Sequence, residues 1–239
     1  MYGWRANIGL LVPTQNVTIE PEFYLMAPEG VAIHTARMFY EKPEMTIETL
    51  EQIGKGAEDA AVRVARAGVD IVVFGCTTGS LVKGVGYDRE LKEKLEKITN
   101  LPAVTTSTAV LKAFETLGLK KVAIASPYTK EVNKKVVEFV EGNGYKVTKI
   151  KGLEHYDMTK IGKETGTTSY RLAKEVNTSD ADGVFVSCTD FRTIDILCKL
   201  ENDLGKPVVS SNQATMWTTL REIGIKEHLE GFGVLLHQS

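Results

Sequence analysis

The chain has 239 residues, of which 43% are hydrophobic and 25% charged, the make-up of an ordinary globular protein rather than a disordered, collagen-like or coiled-coil one. Its net charge of −2 leaves no electrostatic footprint for nucleic acid, and no apolar run approaches the roughly 18–20 residues that cross a bilayer. Residues 1–7 lead straight into a short apolar run without the basic-then-apolar layout of a secretion signal, so the expectation is a soluble, cytoplasmic protein with no nucleic-acid or membrane partner.

In chain order, short β-branched runs at 8–12, 69–74, 102–104, 122–125, 145–150, 183–186 and 207–209 predict strands. Apolar residues at helical spacing predict helices over 47–67, 88–98, 109–117, 130–141, 168–176, 193–204 and 214–223. The strands are nearly continuous apolar runs, as expected when both faces are buried. Strand and helix alternate, so the predicted class is α/β, with parallel sheets covered by helices through right-handed βαβ units.

The chain also repeats itself. Gly9-Leu10-Leu11-Val12-Pro13-Thr14 matches Ala123-Ile124-Ala125-Ser126-Pro127-Tyr128, each a strand ending in a proline turn. Asp70 to Thr77 matches Asp182 to Thr189, each ending in Cys-Thr, and Pro102 to Ser107 matches Pro207 to Asn212, each opening a helix. Three matches in the same order predict two pseudo-symmetric lobes, with the site in the cleft between them. Proline and cysteine are separated by 63 positions from Pro13 to Cys76 and by 61 from Pro127 to Cys188.

Three cysteines, Cys76, Cys188 and Cys198, form neither a disulfide framework nor a zinc pattern. Cys198 falls at helical spacing in an apolar run and reads as core packing. Cys76 and Cys188 are different: each stands where an apolar strand gives way to hydroxyl residues and a helix start, the end of an α/β strand at which ligands bind. Backbone N–H groups at such a helix start favour an anion, and the same field is expected to lower a thiol pKa. A lone strand-end cysteine is ordinarily a buried small hydrophobe, whereas two in repeat-equivalent places point to acid–base or nucleophilic work from opposite faces of one carbon.

Around them, Thr77, Thr78, Thr189 and Asp190 follow the cysteines directly and are candidate contacts for a substrate carboxylate. Thr14 and Asn16 follow Pro13 in a polar turn, where the plain reading is capping and the functional one is substrate orientation. Tyr128 is the repeat mate of that turn and offers a phenol hydroxyl. Ser210 to Gln213 reads as capping, and His34, His155, His228 and His237 fit no motif. No metal, nucleotide or organic cofactor is called for, a homo-oligomer is the base-rate expectation, and residues 38–45 are a candidate lid.

The blocks Pro-Thr-Gln-Asn-Val-Thr-Ile-Glu from Pro13, Gly-Cys-Thr-Thr-Gly-Ser from Gly75, Ser-Cys-Thr-Asp-Phe-Arg-Thr from Ser187 and Val-Val-Ser-Ser-Asn-Gln-Ala-Thr-Met-Trp from Val208 resemble the maleate cis–trans isomerase family. That family lies in the aspartate/glutamate racemase superfamily and is related to the arylmalonate decarboxylases. The resemblance implies a first lobe of residues 1–105 plus 210–239 and a second of 106–209, with the segment 231–236 returning to the first. It implies Cys76 as the nucleophile that adds to the double bond of a small dicarboxylate, giving a succinyl-thioether whose new single bond rotates before elimination. Cys188 would supply and remove the proton, Asn16 matches the family asparagine that holds a carboxylate, and Tyr128 matches the family's second-lobe tyrosine. Decarboxylase relatives have glycine at the first cysteine, so Cys76 speaks against that activity, whereas two-cysteine amino-acid or hydantoin racemases keep both. The family's second-lobe asparagine has no counterpart in 153–162, and Asp157 is the candidate for its place. A non-catalytic carboxylate binder is the reading that uses neither thiol.

Overall fold

The computed structural model describes residues 2–238. The first sheet holds β1 (Ala6–Pro13), β2 (Val31–Met38), β3 (Ile71–Phe74) and β4 (Ala103–Thr105) in the order β2-β1-β3-β4. The second holds β5 (Lys121–Ser126), β6 (Lys146–Gly152), β7 (Gly183–Val186) and β8 (Val208–Ser210) in the order β6-β5-β7-β8. Every pairing is parallel, so the predicted α/β architecture and the repeat are both present: β1, β3 and β4 have β5, β7 and β8 as their mates.

The repeat matters because it puts the same two strand ends side by side in each sheet. Leu11 pairs with Phe74, and the Gly75 amide still reaches the Leu11 carbonyl at 2.9 Å. Ala125 pairs with Val186, and Ser187 reaches Ala125 at 2.8 Å. Each cysteine therefore follows directly on the last ladder bond, beside its proline turn. Ile71 to Phe74 and Val184 to Val186 are almost wholly buried, as strands covered by helices on both faces require.

The first lobe carries α1 (Ile19–Met26), α2 (Ile47–Ala65), α3 (Thr77–Leu81) and α4 (Tyr87–Thr99), and α5 (Thr106–Thr116) follows β4. The second carries α6 (Lys130–Gly142), α7 (Gly166–Val176) and α8 (Leu197–Leu204), and α9 (Ser211–Glu222) follows β8. In α2, Leu50, Ile53, Ala57, Ala60, Ala61 and Val64 form the buried stripe, with alanines allowing close approach to the sheet; Thr46 starts the helix by accepting the Thr49 amide at 3.2 Å.

The two lobes meet chiefly through α5 and α9. All ten residues from Ser211 to Leu220 are buried, polar and apolar alike, which marks α9 as a helix sandwiched on every side. Within it, Thr215 donates to the Ser211 carbonyl at 2.7 Å and lies 3.2 Å from the Thr106 hydroxyl, whereas the buried Thr218 hydroxyl has no partner among the described residues. Beyond α9 the tail touches both lobes. Residues 231–236, which the resemblance assigns to the first lobe, are held at Gly233 and Val234 by Cys198 Sγ (3.2 Å) and Glu201 (2.9 Å) of α8, while Glu227 pairs with Arg5 at 3.0 Å. Cys198 is thus half-buried and an acceptor for the tail rather than pure core. Among the described residues no helix is long and apolar enough to cross a membrane.

Three elements were not anticipated. β2 is an edge strand with His34 and Thr35 half-exposed and Arg37 exposed, so it lacks a continuous apolar run. α1 spans eight residues with Pro21 in its first turn, too short for a clear period. The five residues of α3 form one turn right after Cys76.

Candidate active site

Cys76 ends the β3 run and serves as N-cap of α3, its Sγ accepting the Gly79 amide at 3.4 Å. Glycine leaves room there: a Cβ at residue 79 would crowd that sulfur at 3.1 Å and the Phe74 ring at 3.2 Å. The first-turn amides of Thr77 and Thr78 have no partner within a helix and are the donors such a turn offers to an anion. Cys188 follows β7, and its backbone has φ +111°, a region that non-glycine residues rarely occupy. Strain of this kind persists where surrounding contacts hold it, here the Ser211 hydroxyl on the Cys188 amide at 3.0 Å and the Asp190 amide on Cys188 Sγ at 3.4 Å.

Both thiols line one small cavity of about 20 Å³, room for roughly a single water. Asn16, Thr77, Thr78, Tyr128, Thr189 and Asp190 line it with them, so six of the seven binding candidates converge. Larger grooves elsewhere, such as one of about 580 Å³ beside β2, contain no thiol. Volume is therefore a poor guide to the chemistry here.

Several of the polar side chains are tied across the lobe junction. Asn16 caps α1, its Oδ1 accepting the Thr18 and Ile19 amides at 3.0 and 3.1 Å, while its Nδ2 donates to Thr189 at 3.0 Å. One amide hydrogen of Asn16 is left for the cavity. Thr189 in turn donates to the Gly75 carbonyl at 3.1 Å, and the Thr77 hydroxyl donates to Ser211 at 2.9 Å. The phenol of Tyr128 accepts from Ser187 at 3.3 Å.

Two expectations are corrected. Thr14 is exposed and donates its hydroxyl to the Met38 carbonyl at 2.7 Å, because the turn after Pro13 aims it toward β2; its neighbour Gln15 lines the cavity instead. Asp157 is outside the cavity as well. Its carboxylate accepts the Thr159 amide and hydroxyl at 2.9 and 2.7 Å, capping the short 3-10 turn Met158–Lys163, and those bonds hold its pKa below the usual carboxylate value.

The cavity's apolar wall was not legible beforehand. Met45, Leu50 and Ile53 come from the first lobe, and Met158 and Ile161 from the second. Met45 lies in the segment that had been a lid candidate. That segment crosses to the other lobe, where Glu44 forms an antiparallel bridge with Asp157. The Met45 amide donates to Tyr156 and Met158 donates to the Pro43 carbonyl at 2.8 Å. Two loops, one from each lobe, are thus zipped over the thiols.

Burial also changes the thiol electrostatics. The expectation of a lowered pKa fails because desolvation outweighs the helix start: Cys76 is pushed up to about 11, with the Gly79 amide and Thr78 pulling only part of the way back. Cys188 is raised further, by burial first and then by the Asp190 carboxylate. Asp190 itself is raised to about 6 by burial, against the pull of the Val17 amide and Thr18. Tyr128 stays a neutral phenol, held up by burial and the nearby Cys188.

Sequence reasoning read Ser211 and Asn212 as capping, and only their neighbour Ser210 is confined to that role. Asn212 donates to Glu22 of α1 at 2.6 Å and to the Thr189 carbonyl at 3.0 Å. Glu22 also accepts the Thr193 and Ile194 amides at 2.7 and 3.1 Å, so a buried carboxylate of one lobe binds the loop of the other.

Fold and site together define a two-lobed α/β enzyme that presents one strand-end thiol from each lobe to a shared cavity. The profile of the arylmalonate decarboxylase family matches residues 8–236, and the chain belongs to that family. It is 26% identical to a maleate isomerase of Geobacillus stearothermophilus over 96% of each chain, and 27% identical to an arylmalonate decarboxylase of Bordetella bronchiseptica over 89% of this chain and 91% of the relative. The crystal structure of a variant maleate isomerase of Pseudomonas putida S16 with maleate superposes with a TM-score of 0.93, at 25% identity and 98% coverage of both chains.

Proposed function

We propose that this enzyme is a cysteine-dependent cis–trans isomerase of a small cis-unsaturated acid, with maleate as the parent substrate. The observation that carries the proposal is the placement of Cys76 and Cys188 on one small cavity beside the first-turn amides of α3. A substrate carboxylate would take the Thr77 and Thr78 amides and the free Asn16 hydrogen. Cys76, the less strongly raised of the two thiols, is the one that reacts as thiolate. Its sulfur adds to one alkene carbon, the π pair moves to the neighbouring carbon, and Cys188 delivers a proton there. The bond between these carbons is then single and rotates. Return of the proton to Cys188 and expulsion of Cys76 give the trans product, with Cys76 again a thiolate and Cys188 again a thiol.

A proton NMR time course with maleate tests this. Fumarate is expected with the intact enzyme and not with Cys76→Ser. Maleate left unchanged by the reduced enzyme rejects maleate as its substrate. The same paired thiols would also suit a two-base racemase, one thiolate removing an α-proton and the other thiol returning one. Washing-in of α-deuterium from D₂O into a single enantiomer of aspartate, glutamate or a hydantoin, without fumarate from maleate, would favour that reading.

A further inference from the structure

The cavity is electrostatically one-sided. Asp190 is 2% exposed; its Oδ1 accepts the Val17 amide at 2.8 Å, and its Oδ2 has no hydrogen-bond partner among the described residues. An orphaned carboxylate oxygen costs free energy unless a ligand supplies a donor. Among the described residues, no lysine, arginine or histidine lines the cavity to neutralise it. The Arg37 guanidinium lies outside the lining, bonded to the Asn16 carbonyl and to Glu20 at 2.9 Å, and its charge only partly offsets the rise that burial imposes on Asp190.

Gly162, which lines the neighbouring groove, packs on this carboxylate: a Cβ there would stand 2.5 Å from Val17 and 3.0 and 3.2 Å from the two Asp190 oxygens. On the cavity side, Met158 and Ile161 favour a neutral group over a hydrated ammonium. At the α3 end the cavity offers donors and suits a carboxylate. At the Asp190 end it offers an acceptor and repels one.

We infer that the substrate is a monocarboxylate whose second arm is an uncharged N–H donor, a carboxamide, and that Asp190 is the specificity-determining residue that accepts that N–H. The inference rests on the isomerase reading for its chemistry: the preferred substrate is then the cis-butenedioate monoamide, and the product is the trans monoamide. The sulfur–carbon bond forms as the π bond opens, Cys188 lends one proton and recovers it, and the amide is unchanged throughout, so no co-reactant is needed. A site built to hydrogen-bond one polar arm rejects the analogue that cannot supply it.

The test separates recognition from turnover. Binding of succinate and of succinamate, which cannot react, is measured by calorimetry on the wild type, on Asp190→Asn and on Asp190→Ser. Succinamate is expected to bind at least about tenfold more tightly to the wild type. Asp190→Asn, which replaces the acceptor by an amide able to donate, should reverse the order, and Asp190→Ser should bring the two ligands close together. Equal or tighter binding of succinate to the wild type overturns the inference, as does a ratio that neither variant moves. Turnover of maleate and of its monoamide is followed in parallel. If neither is isomerised while the binding ratio and its reversal hold, the isomerase reading fails and the role of Asp190 stands. If maleate is isomerised with the higher kcat/KM and the ratio does not move, the isomerase stands and the role of Asp190 fails.

Discussion

Ser211 holds Cys188 in place: its hydroxyl oxygen accepts the Cys188 amide at 3.0 Å, at the residue whose φ is +111°, and accepts the Thr77 hydroxyl at 2.9 Å. One oxygen on the helix between the lobes therefore ties together the loops that carry both thiols. Ser211→Ala would leave a buried amide and a buried hydroxyl unpaired, at about 1–3 kcal/mol each. The expected result is a melting temperature several degrees lower and a reduced kcat, with KM changed less. A variant that melts lower but keeps full kcat would show that the tie is structural only.

The raised thiols set a pH dependence. Cys76 titrates near 11 in the fold against an ordinary 9.0, so its thiolate fraction climbs about tenfold per unit through the neutral range. Alkylation of Cys76 by iodoacetamide, followed on its own peptide by mass spectrometry, should accelerate steadily from pH 7 to 10. A plateau near pH 8 would count against a buried, desolvated thiol. The linked stability has the opposite sign. Below pH 9 both states hold the proton and the contribution is fully present; between 9 and 11 only the unfolded state releases it, and stability is lost as pH rises.

How far the sequence reaches is visible in neighbouring residues. The strand–proline and strand–cysteine repeats are local and apolar, so the two sheets and the pairing of Cys76 with Cys188 could be read directly. Thr14 and Gln15 are adjacent in one turn, and which of them enters the cavity depends on the Asn16 cap that follows. Asp157 carries the right charge for a site residue but spends it on a turn. Met45, Met158 and Ile161 come from loops that meet only in three dimensions, and no periodicity announces them. The helix start beside Cys76 is legible, whereas the burial that overrides its effect on the thiol is not.

Glu22 gives a stability prediction in acid. Burial raises its pKa from 4.5 to about 7, even though the Thr193 and Ile194 amides and Asn212 favour the charged form. A group raised in the fold contributes stability that is complete below pH 4.5 and is lost as pH rises to 7, on the order of 3 kcal/mol by the size of the shift. Asp190, raised to about 6, acts in the same direction below that pH. Urea midpoints should therefore fall between pH 5 and 7 in the wild type, and Glu22→Gln should flatten the part between 6 and 7. A slope unchanged by the substitution would assign the effect to another group.

A cavity of about 20 Å³ does not accommodate a four-carbon acid, so the zipped loops must part for substrate to enter. The bonds flanking the Glu44–Asp157 bridge make it a non-hydrogen-bonded antiparallel pair, whose roughly 4.5 Å Cα spacing falls within the disulfide range. Glu44→Cys combined with Asp157→Cys would lock the strap across the lobes. The oxidised double variant should lose isomerase turnover, and dithiothreitol should restore it to the level of the reduced form of the same protein. Comparing one protein in two redox states cancels the lost Asp157 cap, which affects both. Turnover unchanged on oxidation would mean that substrate reaches Cys76 and Cys188 by another route, and the 410 Å³ groove lined by Val17, Glu22 and Gly162 at the other side of the lobe junction would be the next entrance to block.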